Sequence, residues 1–457
     1  MKMFSKNHKK LEKKRIMFKL ILSLLLINQI ACDLVSYVDY GGKVPTDDRF
    51  DVLFKYDADG ARDCEVALKK PSESWKTYAY KKISCGAGKD IAKALTLVYS
   101  SNPVAGTGYV IEIKILNGAT QTAYRSFDVV VVNGKQGFHT YQGKLYDANK
   151  SVFTIRGINN AHGDYDGSGG GSGGKRWLAK NALKNIALTK SNTVRILWRT
   201  NNDLSSVDLD SVIQEAITQK LVPMIEMHDA TGSSNQADLL RMAQYLANNV
   251  WLLIKYRKHI LVNIANEWSP WGYAISSWRD AYKQAVQIIR NAGFSGTLVV
   301  DAAAYAQNPN SIKTHGAEVY TADPYTNILF SIHMYAEWSK QLPNYNIVTE
   351  LQAIKNTGLP LLIGEFADKH AAEVNKQYIT ADIDARSIMA ECQKHGFGYL
   401  AWSWCGNGDD GAGHDLAYLD MVNSKNWSGA NGFSSWGLLV LDDINGIRKT
   451  SSLATIF

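Results

Sequence analysis

A chain of 457 residues has room for more than one domain, and its formal charge of +7 suggests at first a basic protein with an anionic partner. Eight of the 50 Lys and Arg, but only one of the 43 acids, lie in residues 1–31, which leaves 42 of each sign in the remainder. A balanced chain has no electrostatic motive to bind nucleic acid or an anionic membrane, and both classes are set aside.

Residues 1–31 have the layout of a signal peptide: a basic stretch, an apolar run from Phe18 to Ile30, and the small residue Ala31 before Cys32. That run is too short to span a bilayer comfortably, so the expected product is secreted, soluble and free of the membrane after cleavage. An uncleaved signal anchor is the alternative. Gln29 stands where a lipoprotein cleavage site usually carries leucine, which argues against lipidation.

Residues 33–135 read as short strands separated by Gly, Asp, Asn and Ser turns: 50–56, 64–68, 94–99, 109–116 and 126–132. This spacing predicts a small all-β, immunoglobulin-like sandwich. Cys64 and Cys85 are expected to form a disulfide within it, whereas Cys392 and Cys405 are expected to stay free thiols. Trp75, Tyr78 and Tyr80 read either as a sugar-stacking strip or as ordinary strand packing.

From Phe138 the pattern changes, and residues 138–457 form a second predicted domain. A hairpin over 138–149 precedes strands near 153–158, 193–198, 222–227, 259–265, 297–301, 328–333, 360–364 and 398–404. Helical periodicities such as Ser277–Asn291 and Ala381–His395 alternate with them, and Gly293, Gly358 and Gly396 stand where helices should end. Eight such alternations predict an α/β fold, a (β/α)8 TIM barrel, rather than an open doubly wound sheet. The tract Gly167–Gly174 before Lys175 lacks phosphate-loop spacing, since Arg176 follows the lysine, and reads as a flexible loop. The acidic loop Asp409–Asp415 lacks calcium-loop spacing, and no His/Cys or His/Asp cluster argues for zinc. No metal and no cofactor is expected.

In a barrel the chemistry gathers at the strand C-termini. His162, Arg195, His228, Asn266, Glu267, His333, Tyr335, Glu365 and Trp404 all fall there. Two of them, Glu267 and Glu365, are carboxylates at the tips of apolar strands, a costly position that favours a site over packing. Glycosidic cleavage needs such a pair, one acid for the leaving oxygen and one nucleophile or base at the anomeric carbon. Glu267 beside Asn266 suits the acid, and Glu365 within reach of Arg195 and Tyr335 suits the nucleophile. Strands four and seven face each other across the barrel, so the carboxyls should approach to about 5–5.5 Å, the retaining geometry. Trp404 is expected to floor a pyranose.

Asn266-Glu267, His333-Met-Tyr335 and Ile363-Gly-Glu365-Phe resemble the motifs of glycoside hydrolase family 5. More narrowly, His228-Asp-Ala-Thr-Gly232, Ile264-Ala-Asn-Glu-Trp268, Asp301-Ala-Ala, Ser331-Ile-His-Met-Tyr335, Leu400-Ala-Trp-Ser-Trp404 and Tyr418-Leu-Asp420 resemble its bacterial-type endo-β-1,4-mannanases. The resemblance spans about 138–457 and implies Glu267 as acid/base and Glu365 as nucleophile. It further implies a sugar site lined by Arg195, His228, Asn266, His333, Tyr335 and Trp404. His162, Trp268, Trp271 and Trp338 are further cleft candidates. The gly-rich stretch, Cys405 in place of the relatives' frequent lysine, and Ala336 before Glu337-Trp338 depart from the pattern in rim loops. The implied activity is retaining endo-hydrolysis of mannan, glucomannan or galactomannan by a monomer. A β-1,4-glucanase with the same mechanism, and a non-catalytic carbohydrate-binding protein, are the alternatives.

Overall fold

A computed structural model describes residues 33–39, 43–160, 180–200, 204–374, 376–408, 415–423 and 432–457. The leader, His162, the glycine tract and most of the Asp409–Asp415 loop lie outside the described residues.

Apart from a 3₁₀ turn at Pro71–Glu73, the elements described within 34–132 are strands: β1 (Leu34–Asp39), β2 (Lys43–Pro45), β3 (Arg49–Ala58), β4 (Arg62–Lys70), β5 (Lys76–Cys85), β6 (Gly88–Val98), β7 (Gly106–Asn117) and β8 (Thr120–Val132). They form a five-stranded sheet in the order β2-β8-β7-β4-β5 and a three-stranded sheet, β1-β3-β6. The expected Cys64–Cys85 disulfide links β4 to β5, with the Cα atoms 5.9 Å apart. β5 escapes sequence reading because it is an edge strand that shows solvent most of its residues, Lys76, Lys81 and Lys82 among them. The three aromatic residues do not form a strip. Tyr78 is core, edge-on to Tyr109 at 5.4 Å, whereas Trp75 and Tyr80 are exposed. Compactness divides the chain less simply than sequence does: 54–93 and 107–129 fall in one unit with the first strand, while 40–53, 94–106 and 130–457 fall in the other.

In the second unit, β9 (His139–Tyr141) and β10 (Lys144–Tyr146) make the expected antiparallel hairpin. Eight parallel strands then close a barrel: β11 (Arg156–Asn160), β12 (Thr193–Trp198), β13 (Val222–Met227), β14 (Leu261–Asn263), β15 (Leu298–Asp301), β16 (Ile328–Met334), β17 (Leu361–Phe366) and, after an added hairpin, β20 (Gly398–Ala401). Helices Lys180–Leu188, Ser206–Thr218, Gln236–Asn248, Ile275–Asn291, Pro309–Ala322, Ile347–Asn356 and Ala385–His395 connect them. Local chemistry sets their ends. Ser205 and Asp208 form a capping box, and the last of these helices stops at Gly396 in the left-handed region, φ 72°.

One expected helix starts late. Residues 377–382 belong to β19 (Gln377–Asp382), which pairs antiparallel with β18 (Lys369–Val374), and helix begins only at Ala385. Asp384 imposes the break by accepting the Ser387 N–H at 3.0 Å.

Alternate residues of the barrel strands face inward. Met224, Leu261, Val299, Leu329, Leu362 and Leu400 pack with Phe138, Leu145 and Phe153 at the N-terminal end. Their neighbours in sequence, such as Ile225, Val262, Val300, Phe330 and Ile363, belong to the larger core shared with the helices. Each such fully buried side chain contributes about 1.5–3 kcal/mol, so the apolar end is a principal source of stability.

Candidate active site

At the C-terminal end of the same strands the barrel axis turns polar. Arg195, from the middle of β12, is fully buried and branches into the site. Its Nη1 donates to Glu365 Oε1 at 2.7 Å and to Asn159 Oδ1 at 3.0 Å, and its Nη2 donates to Asn266 Oδ1 at 2.7 Å. Asn263 Oδ1 accepts from Nε at 3.1 Å and from Nη2 at 3.0 Å. Burial alone would favour a neutral guanidine, but Glu226, Glu365 and Asp301 outweigh it and hold Arg195 as a cation.

Glu365 reaches this site through a bulge. Strict alternation would put it on the helix side with Leu361 and Ile363. The pairing of β16 with β17 instead slips by one residue, from Ile332↔Ile363 to His333↔Glu365, leaving Gly364 extra. Glu365 is thereby turned inward. A Cβ on Gly364 would lie 2.3 Å from Ser331 Oγ and 3.0 Å from His333 Nε2, so only glycine fits this bulge unaltered. Tyr335, which follows β16, donates its hydroxyl to Glu365 Oε2 at 2.7 Å. Its phenol is held protonated, by burial first and then by Glu365. His370 on β18 lies beside the Tyr335 ring, centroids 4.4 Å apart.

Glu267 lies beyond the end of β14, with φ 45°. Its backbone N–H donates to Asp301 Oδ2 at 3.0 Å and its carbonyl accepts from Gly232 N–H at 3.0 Å. Its side chain keeps 14% exposure, and Oε1 lies 2.7 Å from His333 Nδ1. One carboxylate oxygen of Glu267, one of Glu365 and a ring nitrogen of His333 fall within 4.8 Å of one another. Among the described residues this is the only such group of His and acidic donors able to hold a cation. Glu365 in it already faces the Arg195 cation.

The two carboxyls are not equivalent. Burial raises both, and like charge adds to the rise at Glu267, which is held well above the ordinary carboxylate range. Glu365 is pushed by burial up to about 7, with Arg195 and Tyr335 pulling against the rise. The first proton of the pair therefore belongs to Glu267. His333 is held neutral, by burial first and then by Arg195 and His228.

Of the residues singled out from sequence, Arg195, Asn266, Glu267, His333, Tyr335 and Glu365 converge in this network. His228 stands beside it, Nδ1 at 3.1 Å from Glu226 Oε1, which orients the ring. Trp404 follows β20 and donates its backbone N–H to Asn159 O at 2.9 Å, but at 1% exposure its ring is largely covered. Trp268 is a correction: it is fully buried, edge-on to Tyr273 and Tyr282, with Nε1 donating to Asn235 O at 3.1 Å. The tryptophan next to Asn266-Glu267 is here a core residue. Trp338 is buried against Tyr345, and Trp271 is exposed at 43%.

Sequence reading missed Asn159, Glu226 and Asn263 as members, and quoted Asp301 without a role. The available signal was a polar residue inside an otherwise apolar buried strand, as in Val222-Pro-Met-Ile-Glu226-Met227.

Comparison with known proteins points the same way as this geometry. The sequence model described as Cellulase (glycosyl hydrolase family 5) matches residues 146–408. A mannan endo-1,4-β-mannosidase of Salipaludibacillus agaradhaerens is 34% identical over 325 residues, 70% of this chain and 96% of that protein. One of Cellvibrio japonicus (strain Ueda107) is 33% identical over 72% of this chain and 71% of its own length. Among solved structures, the mannohexaose complex of Thermomonospora fusca β-mannanase is 32% identical, with a TM-score of 0.59 over 70% of this chain and 99% of that one.

Proposed function

The chain belongs to glycosyl hydrolase family 5, and from that premise we propose that it is a secreted endo-β-1,4-mannanase acting by double displacement. The observation that carries the mechanism is the unequal carboxyl pair, with oxygens within 4.8 Å and Arg195 and Tyr335 on only one of its members. This is on the retaining side of the two carboxylate spacings, since inverting pairs stand about 6.5–9.5 Å apart to admit a water.

Glu365 attacks the anomeric carbon while Glu267 gives its proton to the departing glycosidic oxygen. The C–O bond to the leaving sugar breaks as the bond to Glu365 forms, and the product is a glycosyl ester on Glu365. Glu267, now ionised, takes a proton from the incoming water, and the resulting hydroxyl displaces Glu365 with net retention. Arg195 and Tyr335 favour the ionised nucleophile and accept it back as the leaving group. Asn266, fixed by Arg195, presents its amide beside Glu267, where a sugar hydroxyl would lie.

The mannan assignment is supported by the two relatives and by the mannanase-like segments across the barrel. Secretion is supported by the signal layout of residues 1–31. Mannose and glucose differ only in the configuration at C2, so β-1,4-glucan is the competing substrate, and the description of the matching family model keeps it in view. Initial rates on mannan, glucomannan and carboxymethylcellulose decide between them, and NMR of the first-formed product anomer tests retention. Mannan is expected to be the faster substrate, with the β-anomer released first. A folded protein inactive on all three polymers, or releasing the α-anomer, sinks the reading.

A further inference from the structure

We propose that Asp301 is a positioning residue for the acid, a single buried carboxylate that secures Glu267 at its backbone directly and at its side chain through the tautomer of His333. The proposal rests on the glycosidase reading above.

Asp301 ends β15 and is fully buried. Its Oδ1 accepts from Asn263 Nδ2 at 3.1 Å and its Oδ2 accepts from the Glu267 N–H at 3.0 Å. Burial raises its pKa, but Arg195 and the Glu267 N–H oppose the rise, and with both oxygens facing donors the ionised form suits the site. Glu267 needs this anchor because φ 45° is a left-handed conformation that a side-chain-bearing residue leaves unless it is held.

The second hold is indirect. A neutral imidazole has one N–H and one bare nitrogen. The His333 Nδ1 lies 2.7 Å from Glu267 Oε1, while Nε2 has no partner within hydrogen-bond distance among the described residues. The acidic oxygen that Nε2 faces is Asp301 Oδ2, at 3.7 Å; Nδ1 also faces Glu365 Oε2, at 3.6 Å, but that oxygen already accepts from the Tyr335 hydroxyl at 2.7 Å. An N–H on Nε2 is drawn toward that carboxylate and leaves Nδ1 bare, able to accept from a protonated Glu267. The opposite tautomer would donate to Glu267 and favour the discharged acid, while turning a bare nitrogen toward Asp301. Burial, with the cationic Arg195 nearby, opposes the doubly protonated ring. A bare Nδ1 also leaves the ionised Glu267 without a donor there after its first proton transfer, which makes it a stronger base toward water.

The test compares wild type with Asp301→Asn on mannan and on 2,4-dinitrophenyl β-mannobioside, whose leaving group needs no proton. We expect kcat/KM on mannan to fall about 10–100-fold and on the dinitrophenyl substrate by less than about 3-fold. The alkaline limb on mannan should move to lower pH, because the acid holds its proton less tightly once the charge at 301 is gone. Equal losses on both substrates, or no loss, overturn the proposal. A wild type that cleaves neither substrate overturns the mannanase reading itself, and the proposal with it. If Asp301→Asn does not fold, nitrogen-15 NMR of histidine-labelled wild type still decides. The His333 signals, identified by their loss in His333→Asn, should be those of a neutral ring protonated on Nε2. A ring protonated on Nδ1, or on both nitrogens, overturns the proposal.

Discussion

At the N-terminal end of the barrel the inward side chains include Met224, Leu261, Val299, Leu329 and Leu362. Two positions further along the same strands stand Glu226, Asn263, Asp301, Ser331 and Gly364. One pleat repeat thus separates an apolar plug from a network of buried polar groups around a single cation, Arg195. At the plug, dispersion and dehydration hold the barrel closed without directional demands. At the network each group is tolerable only while its partners stay in place, since an unpaired buried charge or amide is costly. The two ends teach that this barrel separates stability from chemistry along its axis, and that separation can be tested.

The largest effect is expected from Glu365→Ala. Turnover should fall on the order of 10⁴-fold or more while affinity for manno-oligosaccharide persists, measured by steady-state rates and calorimetric titration. Residual turnover near wild type refutes the nucleophile assignment. Next is Gly364→Ala, whose Cβ has no room beside Ser331 Oγ and His333 Nε2. It should lower kcat about 100-fold, because a misplaced catalytic group of roughly 1 Å has that cost. Wild-type kinetics would mean that the bulge does not govern the aim of Glu365.

Tyr335→Phe should act more gently, about 10-fold on kcat, with a diagnostic change in pH dependence. The phenol hydrogen bond lowers the pKa of Glu365, so losing it raises that pKa above its value of about 7. The ionised nucleophile then disappears at a higher pH, and the acid limb of kcat/KM moves upward. A limb that stays still, or moves downward, contradicts the assignment of that limb to Glu365. The smallest kinetic effect belongs to the other end. Leu329→Ala should destabilise the fold by about 2–5 kcal/mol in denaturant titration yet leave both pH limbs where they were at temperatures well below unfolding. Displaced limbs would show that plug and network are coupled rather than separate.

Much of this was legible in the chain. Barrel strands announce themselves as apolar runs because both faces are buried, and the helix stops at Gly293, Gly358 and Gly396 follow from left-handed backbone that favours glycine. The two strand-tip glutamates were legible because a carboxylate beside an apolar strand has few explanations other than chemistry. The edge strands β5 and β19 were not, since they show solvent most of their residues and carry no apolar run. Trp268 misled for the converse reason: its neighbours Asn266 and Glu267 join the polar network, but its ring turns into the helix-side core.

The sequence by itself determined the eight-fold alternation and the placing of two glutamates at strand tips, because these depend on residue type and on position along a strand. Only the tertiary structure decided which way Glu365 points. A period of two assigns it to the helix side, and the one-residue slip at Gly364, visible only in the pairing with β16, turns it to the axis. The same holds for Asp301, whose contacts with Glu267 and His333 join residues 34 and 32 positions away in the chain. Such contacts arise from closure of the barrel, which no local pattern encodes.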